Sequence, residues 1–308
     1  MKKVALKIGY IGTNFYGFQR QPNLRTVEGE IIYVLKKLGY IEDLESSKFG
    51  IAGRTDRGVH SLGNVISFMS EKDILINQIN HKLPDDIQIL AKAPVRYGFK
   101  PRYAIRRYYR YMLFEEDLDI KAMKELTKVF VGEHDFTNFS KRDQKTPIRT
   151  IDEINLIVPN ESTSFDPSLV LEDSNHSKTK EEIDIQNFND FSHTPIFIDF
   201  YGESFLWNMI RKIMRIFYSV GKGKMKVGEV EKFFNPNEKF NIKTLSSENL
   251  ILMDTQYHNI NFKYDEYACE GFRRILIQNL LKYRMEFSIE NQMLNIMNNI
   301  NREYLSRK

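Results

Sequence analysis

Gly53-Arg54-Thr55-Asp56-Arg57-Gly58-Val59-His60 sets one carboxylate between two arginines and brackets them with two glycines. Glycine lets a backbone turn tightly or approach a neighbour closely. Arg54 carries an always-charged planar fork that suits phosphate, and a flat face able to stand in for a base in a stack. Asp56 in such a neighbourhood is a candidate nucleophile or base. It could equally be a turn aspartate that accepts backbone amides. Residue types alone leave both readings open.

The surrounding chain narrows the class of protein. Its 308 residues suffice for one large domain or two smaller ones. No apolar run approaches about 18 residues, so no transmembrane helix is expected. The opening Met1–Gly12 alternates and carries Lys7, which suits a strand and not a signal peptide. Cys269 is the only cysteine, so an internal disulfide and a cysteine zinc site are ruled out, and a reducing cytoplasm is expected. The net charge of +4 hides an uneven distribution. Residues 88–113 hold seven Lys or Arg and no acid, and residues 207–226 hold six and no acid. Residues 161–190 hold eight acids against two lysines. Concentrated basic stretches suit a phosphate-backbone partner, although solvated helix and strand faces would produce the same counts.

Local patterning predicts mixed α and β structure. Val4, Leu6, Ile8 and Tyr10 alternate as a strand does. Thr26 is placed as an N-cap for a helix through Ile31, Val34, Leu35 and Leu38, with Gly39 closing it. A strand over 65–68, a helix over 72–82, a Pro84-Asp85-Asp86 turn and strands at 87–89 and 108–114 follow. Asp119 is placed as the cap of a helix carrying Met123, Leu126 and Phe130. Ser204 is placed as the cap of another, carrying Leu206, Met209, Ile210, Ile213 and Phe217 and ending at Gly221. The expected division is 1–114, a catalytic half with the Asp56 motif; 115–258, a second half with a mobile acidic insert at about 160–194; and 259–308, a helical extension.

The octapeptide closely resembles GRTDxGVHA, the signature of the TruA family of tRNA pseudouridine synthases, whose aspartate is catalytic. Seven matched positions would arise by chance at roughly one in 10⁸–10⁹ starting points. Other stretches resemble the same family in the same order. They are Tyr16-Gly17-Phe18-Gln19 with Thr26-Val27-Glu28, then Phe99 to Arg102 with Arg107-Tyr108-Tyr109-Arg110-Tyr111. Gly132-Glu133-His134-Asp135-Phe136 and the Phe205-Leu206 to Met209-Ile210-Arg211 stretch come next, and Leu250–Asp254 comes last. The resemblance spans about residues 4–258. Arg57 and Ser61 stand where the family carries alanine, and Pro101 replaces another.

The resemblance implies an α+β pseudouridine synthase fold. Two ferredoxin-like halves would share a largely antiparallel sheet with a central cleft. It implies a homodimer that acts on tRNA uridines at positions 38–40 of the anticodon stem-loop, without a metal or other cofactor. Asp56 would be the catalytic carboxylate, Arg211 its ionic partner, and Tyr109 the ring under the uracil. Arg54 would fill the space of the extruded base, with Arg102, Arg107 and Arg110 on tRNA phosphates. Rival readings are a relative acting on other uridines and a non-catalytic RNA-binding protein. Two weaker signals carry little. His134-Asp135 lacks the further ligands of a metal hydrolase, and Val220 to Lys224 lacks the spacing of a phosphate loop. His60 and Cys269 are expected to be structural.

Overall fold

The computed structural model describes residues 1–140, 146–159 and 195–306. The mobile acidic insert expected at about 160–194 lies outside the described residues. In chain order the elements begin with β1 (Lys2–Tyr10), α1 (Val27–Lys37), β2 (Gly50–Ile51), β3 (His60–Ser70) and α2 (Ile76–Asn80). Next come β4 (Ile87–Pro94), β5 (Arg106–Leu113), α3 (Ile120–Phe130), β6 (Gly132–Asp135), β7 (Ile148–Ile151) and β8 (Glu153–Ile157). The last are β9 (Ile196–Gly202), α4 (Met209–Gly221), β10 (Leu250–Gln256), β11 (Lys263–Tyr264) and α5 (Glu266–Ser306).

One sheet runs β11-β4-β1-β3-β10-β5-β9-β8, with β2 beside the far end of β3. Every pairing in it is antiparallel except that of β3 with β10, so the expected α+β, largely antiparallel architecture is what the chain forms. The parallel contact spans only His60↔Ile251 and Ser61↔Leu252. It is the seam between two cores. One packs α1 and α2 on β1, β3 and β4 through Leu6, Ile8, Ile31, Leu35, Ile66 and Phe68. The other packs α3 and α4 on β5, β8 and β9 through Tyr109, Met123, Phe130, Ile198, Ile213 and Phe217. Deleting one such buried ring would cost about 3–5 kcal/mol.

Strand β1 is more buried than simple alternation predicts, because a third cluster covers its other face. Ala5, Val65, Phe99 and Tyr257 pack there. On that face Lys7 reaches Asp254 of β10 at 2.5 Å and lies over the Phe262 ring. Gly63 makes the crossing possible, since a Cβ on it would lie 2.5 Å from Asp254 Cα. Ser61, which stands where alanine was expected, donates to Leu252 O at 3.1 Å across the seam.

The local signals at helix starts were sound where the cap lies next to the helix. Thr26 Oγ1 accepts from Gly29 N, and Asp119 Oδ1 accepts from Ala122 N. Two boundaries differ. The expected helix over 72–82 contracts to Ile76–Asn80, and α4 does not begin after Ser204. Residues 204–206 are irregular, Trp207 and Asn208 form a turn closed by Met209 N on Leu206 O, and Asn208, in the left-handed region at φ 66°, precedes the first helical residue. Cys269 is only half-buried, its thiol 3.8 Å from Leu90 O. Phe272 of α5 presses on Gly9 of β1, where a Cβ would lie 2.9 Å from its ring, and Ala268 one turn earlier joins the first core, so α5 is anchored at its start.

Candidate active site

The Asp56 loop leaves β2 and enters β3 beside the seam. Backbone contacts hold it. Phe18 N donates to Thr55 O at 3.0 Å, and Val59 N donates to Asp56 O at 3.2 Å. The Thr55 hydroxyl meets the Tyr10 phenol at 2.9 Å. Gly12 and Gly17 let the preceding segment lie flat against this loop. A Cβ on Gly12 would fall 2.1 Å from Val59 O, and one on Gly17 3.0 Å from Thr55 O. The Tyr16-Gly17-Phe18 stretch is therefore the back wall of the loop. His60 joins three segments. Its Nδ1 accepts from Gly12 N at 3.1 Å, which leaves Nε2–H to donate to Glu248 O at 3.1 Å. Burial holds the His60 imidazole below its usual range, with Glu248 opposing.

The second core supplies what meets the carboxylate. Arg211, in the first turn of α4, donates from Nη1 to Asp56 Oδ2 at 2.8 Å. Trp207, in the turn before α4, donates from Nε1 to Asp56 Oδ1 at 2.7 Å. The pair is largely shielded from water, with side-chain exposures of 17% for Arg211 and 21% for Asp56. The other Arg211 donors are also engaged: Nε with Leu245 O at 2.8 Å, Nη2 with Thr244 Oγ1 at 3.2 Å, and Nη1 additionally with Asn208 Oδ1 at 3.2 Å. Leu245 N returns a bond to Arg211 O. The cation is thus fixed on all sides, as a charge removed from water requires.

Tyr109 is buried on the same face of β5, edge-on to Phe205 at 5.4 Å between centroids. Burial raises its phenol above the ordinary value; Arg107 opposes this and the Asp56 carboxylate adds to it. The structure therefore brings Asp56, Tyr109 and Arg211 together.

The remaining arginines separate. Arg54 is exposed and, among the described residues, has no hydrogen-bond, ion-pair or ring partner. Arg102 is exposed and lies over the Tyr103 ring. Arg107 is buried and donates to the carbonyls of Ala52 at 2.8 Å, Arg102 at 3.0 Å and Glu203. It braces the strand that leads into the Asp56 loop. Arg110 points from the opposite face of β5 and is clamped by both oxygens of Asp199, at 2.7 and 2.8 Å. Neither Arg107 nor Arg110 reaches the Asp56 carboxylate. Trp207, Asn208, Thr244 and Leu245 were not singled out by the sequence. Trp207 and Asn208 lie inside the motif that carries Arg211, whereas no local pattern marks Thr244 or Leu245. Among the described residues no three His, Cys, Asp or Glu form a group able to hold a metal ion, and no helix is long and apolar enough to cross a membrane.

A family model described as tRNA pseudouridine synthase matches residues 126–258. The tRNA pseudouridine synthase A of Methanobrevibacter smithii is 54% identical over 98% of this chain and 99% of that protein. Its counterpart in Methanothermobacter thermautotrophicus is 41% identical over 92% of each. That of Methanosphaera stadtmanae is 39% identical over 96% of this chain and 99% of that protein. A solved archaeal box H/ACA sRNP Nop10-Cbf5 complex is a remote likeness, at 12% identity and a TM-score of 0.29 over 69% of this chain. On identity sustained from end to end, in a chain whose Asp56 and Arg211 meet across the central seam, this protein belongs to the TruA family of tRNA pseudouridine synthases.

Proposed function

We propose that the chain converts uridines at positions 38–40 of the tRNA anticodon stem-loop, with Asp56 as the catalytic carboxylate. The family reaction is an isomerisation of uridine to pseudouridine in tRNA. The N1–C1′ bond breaks, a C5–C1′ bond forms, and the C5 proton is lost while N1 gains one. The sum is redox-neutral and needs no second substrate. One observation supports the reading most: a carboxylate held by two donors, beside a buried tyrosine, at the junction of two cores. Asp56 would attack the ribose or base, or remove a ribose proton. Tyr109 would lie under the uracil and keep the detached ring in place. Arg54 would enter the space left by the extruded nucleotide, and Arg102 would meet phosphate. Arg107 would act from behind, by fixing the loop. A cytoplasmic site of action suits both the substrate and the lone unpaired thiol of Cys269.

The test is pseudouridine formation on unmodified tRNA transcript in a chelator, mapped by derivatisation and primer extension. The intact chain should modify the anticodon stem-loop, and Asp56→Asn should bind tRNA without forming product. Modification of other uridines would favour a relative with a different target. Binding without turnover by both proteins would favour an RNA-binding role. Affinity should fall steeply with salt if phosphates carry the binding.

A homodimer is part of the same proposal, and α5 supports it. From Met285 to Ile300 every residue of the helix is exposed. Met285, Ile289, Met293, Ile296 and Ile300 form one stripe at helical spacing. This stretch carries Glu286 and Glu290 and no Lys or Arg, so it has no positive charge to attract phosphate. A second copy of α5 is the occupant that fits. Light scattering should give a dimer mass, reduced to a monomer by Ile289→Lys with Ile296→Lys. A monomeric intact protein would end this part of the reading.

A further inference from the structure

Arg211 meets Asp56 through Nη1 alone, because Nε and Nη2 are engaged by Leu245 O and Thr244 Oγ1. A guanidinium bound through one nitrogen does not stop a carboxylate from turning about its terminal torsion, which is intrinsically broad. A second donor on the other oxygen does. Here that donor is the Trp207 indole, 2.7 Å from Oδ1. The indole is 54% exposed, so core packing is not what places it. The left-handed Asn208 directly after it turns the chain into α4, and the Asn208 side chain also accepts from Arg211. One short turn therefore supports both donors to one carboxylate. A neutral N–H suits this role, since it aims an oxygen without adding a second positive charge to quench its nucleophilicity or basicity.

We propose that Trp207 is a positioning residue for uridine isomerisation, whose indole N–H locks the rotation of the Asp56 carboxylate so that one edge faces the substrate. This rests on Asp56 being the catalytic carboxylate. The role is exerted through Asp56, so it should appear in turnover and not in tRNA binding. Trp207→Phe retains a ring and loses the donor. Trp207→His restores it, because the imidazole Nε2 occupies the same ring position as the indole Nε1.

The experiment measures kcat and KM for pseudouridine formation by the full chain and by Trp207→Phe, Trp207→His and Asp56→Asn. Trp207→Phe should lower kcat by about 10- to 100-fold, the cost of a misaimed reacting group, with KM unchanged. Trp207→His should recover most of the loss. An unchanged kcat in Trp207→Phe, or a histidine variant as impaired as the phenylalanine one, would overturn the proposal. Trp207 is the only tryptophan, so intrinsic emission reports the contact without relying on activity. Indole excitation moves electron density off the pyrrole ring, so a carboxylate at Nε1 shifts emission to the red. Asp56→Asn should reverse that shift, and unchanged emission would count against the contact. Wild-type turnover by Asp56→Asn would instead remove the reading beneath the proposal, an outcome separate from any result with Trp207.

Discussion

The two sides of the candidate site are built differently. The Asp56 loop rests mainly on main-chain packing: amide to carbonyl bonds from Phe18 and Val59, and glycines at 12 and 17 that let backbone rest on backbone, with the Tyr10, His60 and Arg107 side chains bracing it from behind. The Arg211 side is held by side chains, with one guanidinium distributed among Asp56, Asn208, Thr244 and the Leu245 carbonyl. The first arrangement resists displacement, since moving the loop breaks its packing. The second can be adjusted one bond at a time. A reaction that needs a fixed carboxylate and a tuned environment benefits from this division.

Substitutions on the two sides should therefore fail in different ways. Arg211→Lys is expected to have the largest effect. An ammonium can still approach Asp56, yet it cannot also serve Leu245, Thr244 and Asn208 from a planar fork. We expect kcat to fall by about 10²–10³-fold, as on losing one preorganised donor, with the melting temperature reduced much less. A variant with near-native turnover would show that the fork geometry is dispensable. Gly12→Ala should show the opposite pattern. Its Cβ would meet the Val59 carbonyl, so stability should drop by about 1–3 kcal/mol in denaturant unfolding, with activity lost as folded protein is lost. Unchanged stability would mean that the back wall yields.

Smaller changes sharpen the contrast. Thr244→Val removes one acceptor of Arg211 and should cost about 1 kcal/mol, read as a fall in kcat by several-fold with little change in unfolding. A loss confined to stability would place Thr244 with the packing side. The smallest effect concerns pH. Burial keeps the folded His60 imidazole below the ordinary 6.5, so as pH falls the unfolded chain takes up this proton first. Below about 6.5 the unfolded state binds more protons, and stability declines as pH drops toward the folded value. Protonation would also put a hydrogen on Nδ1, which accepts from Gly12 N. Melting temperatures between pH 7 and 5 should fall more for the intact chain than for His60→Gln, and equal slopes would exclude His60 as a contributor.

Much of this architecture was legible because it is local. Thr26 and Asp119 cap the helices that directly follow them, and alternation in β1 and β5 marks strands. The α4 boundary was not legible. Ser204 begins an apolar helical spacing, but the chain turns at Asn208 before any helix forms. Arginine roles were less legible still. Arg107 and Arg110 lie three residues apart on one strand and so project to opposite faces. One disappears behind the Asp56 loop, and the other is claimed by Asp199. Charge pattern could not separate them from Arg54, which remains exposed.

By itself the amino-acid sequence determined the elements that depend on near neighbours, the family through an ordered set of motifs, and the carboxylate around which the site is built. Only the tertiary structure decided that the Arg211 cation is shared four ways, that a tryptophan holds the second carboxylate oxygen, and that Gly63 lets β3 and β10 meet. The physical reason is separation along the chain. Trp207 and Arg211 reach Asp56 from more than 150 residues away, |i−j| being 151 and 155, and Thr244 joins them from a segment without periodicity. Caps and alternation act over a few residues, whereas a donor aimed at a distant carboxylate exists only after two cores have closed on a common seam.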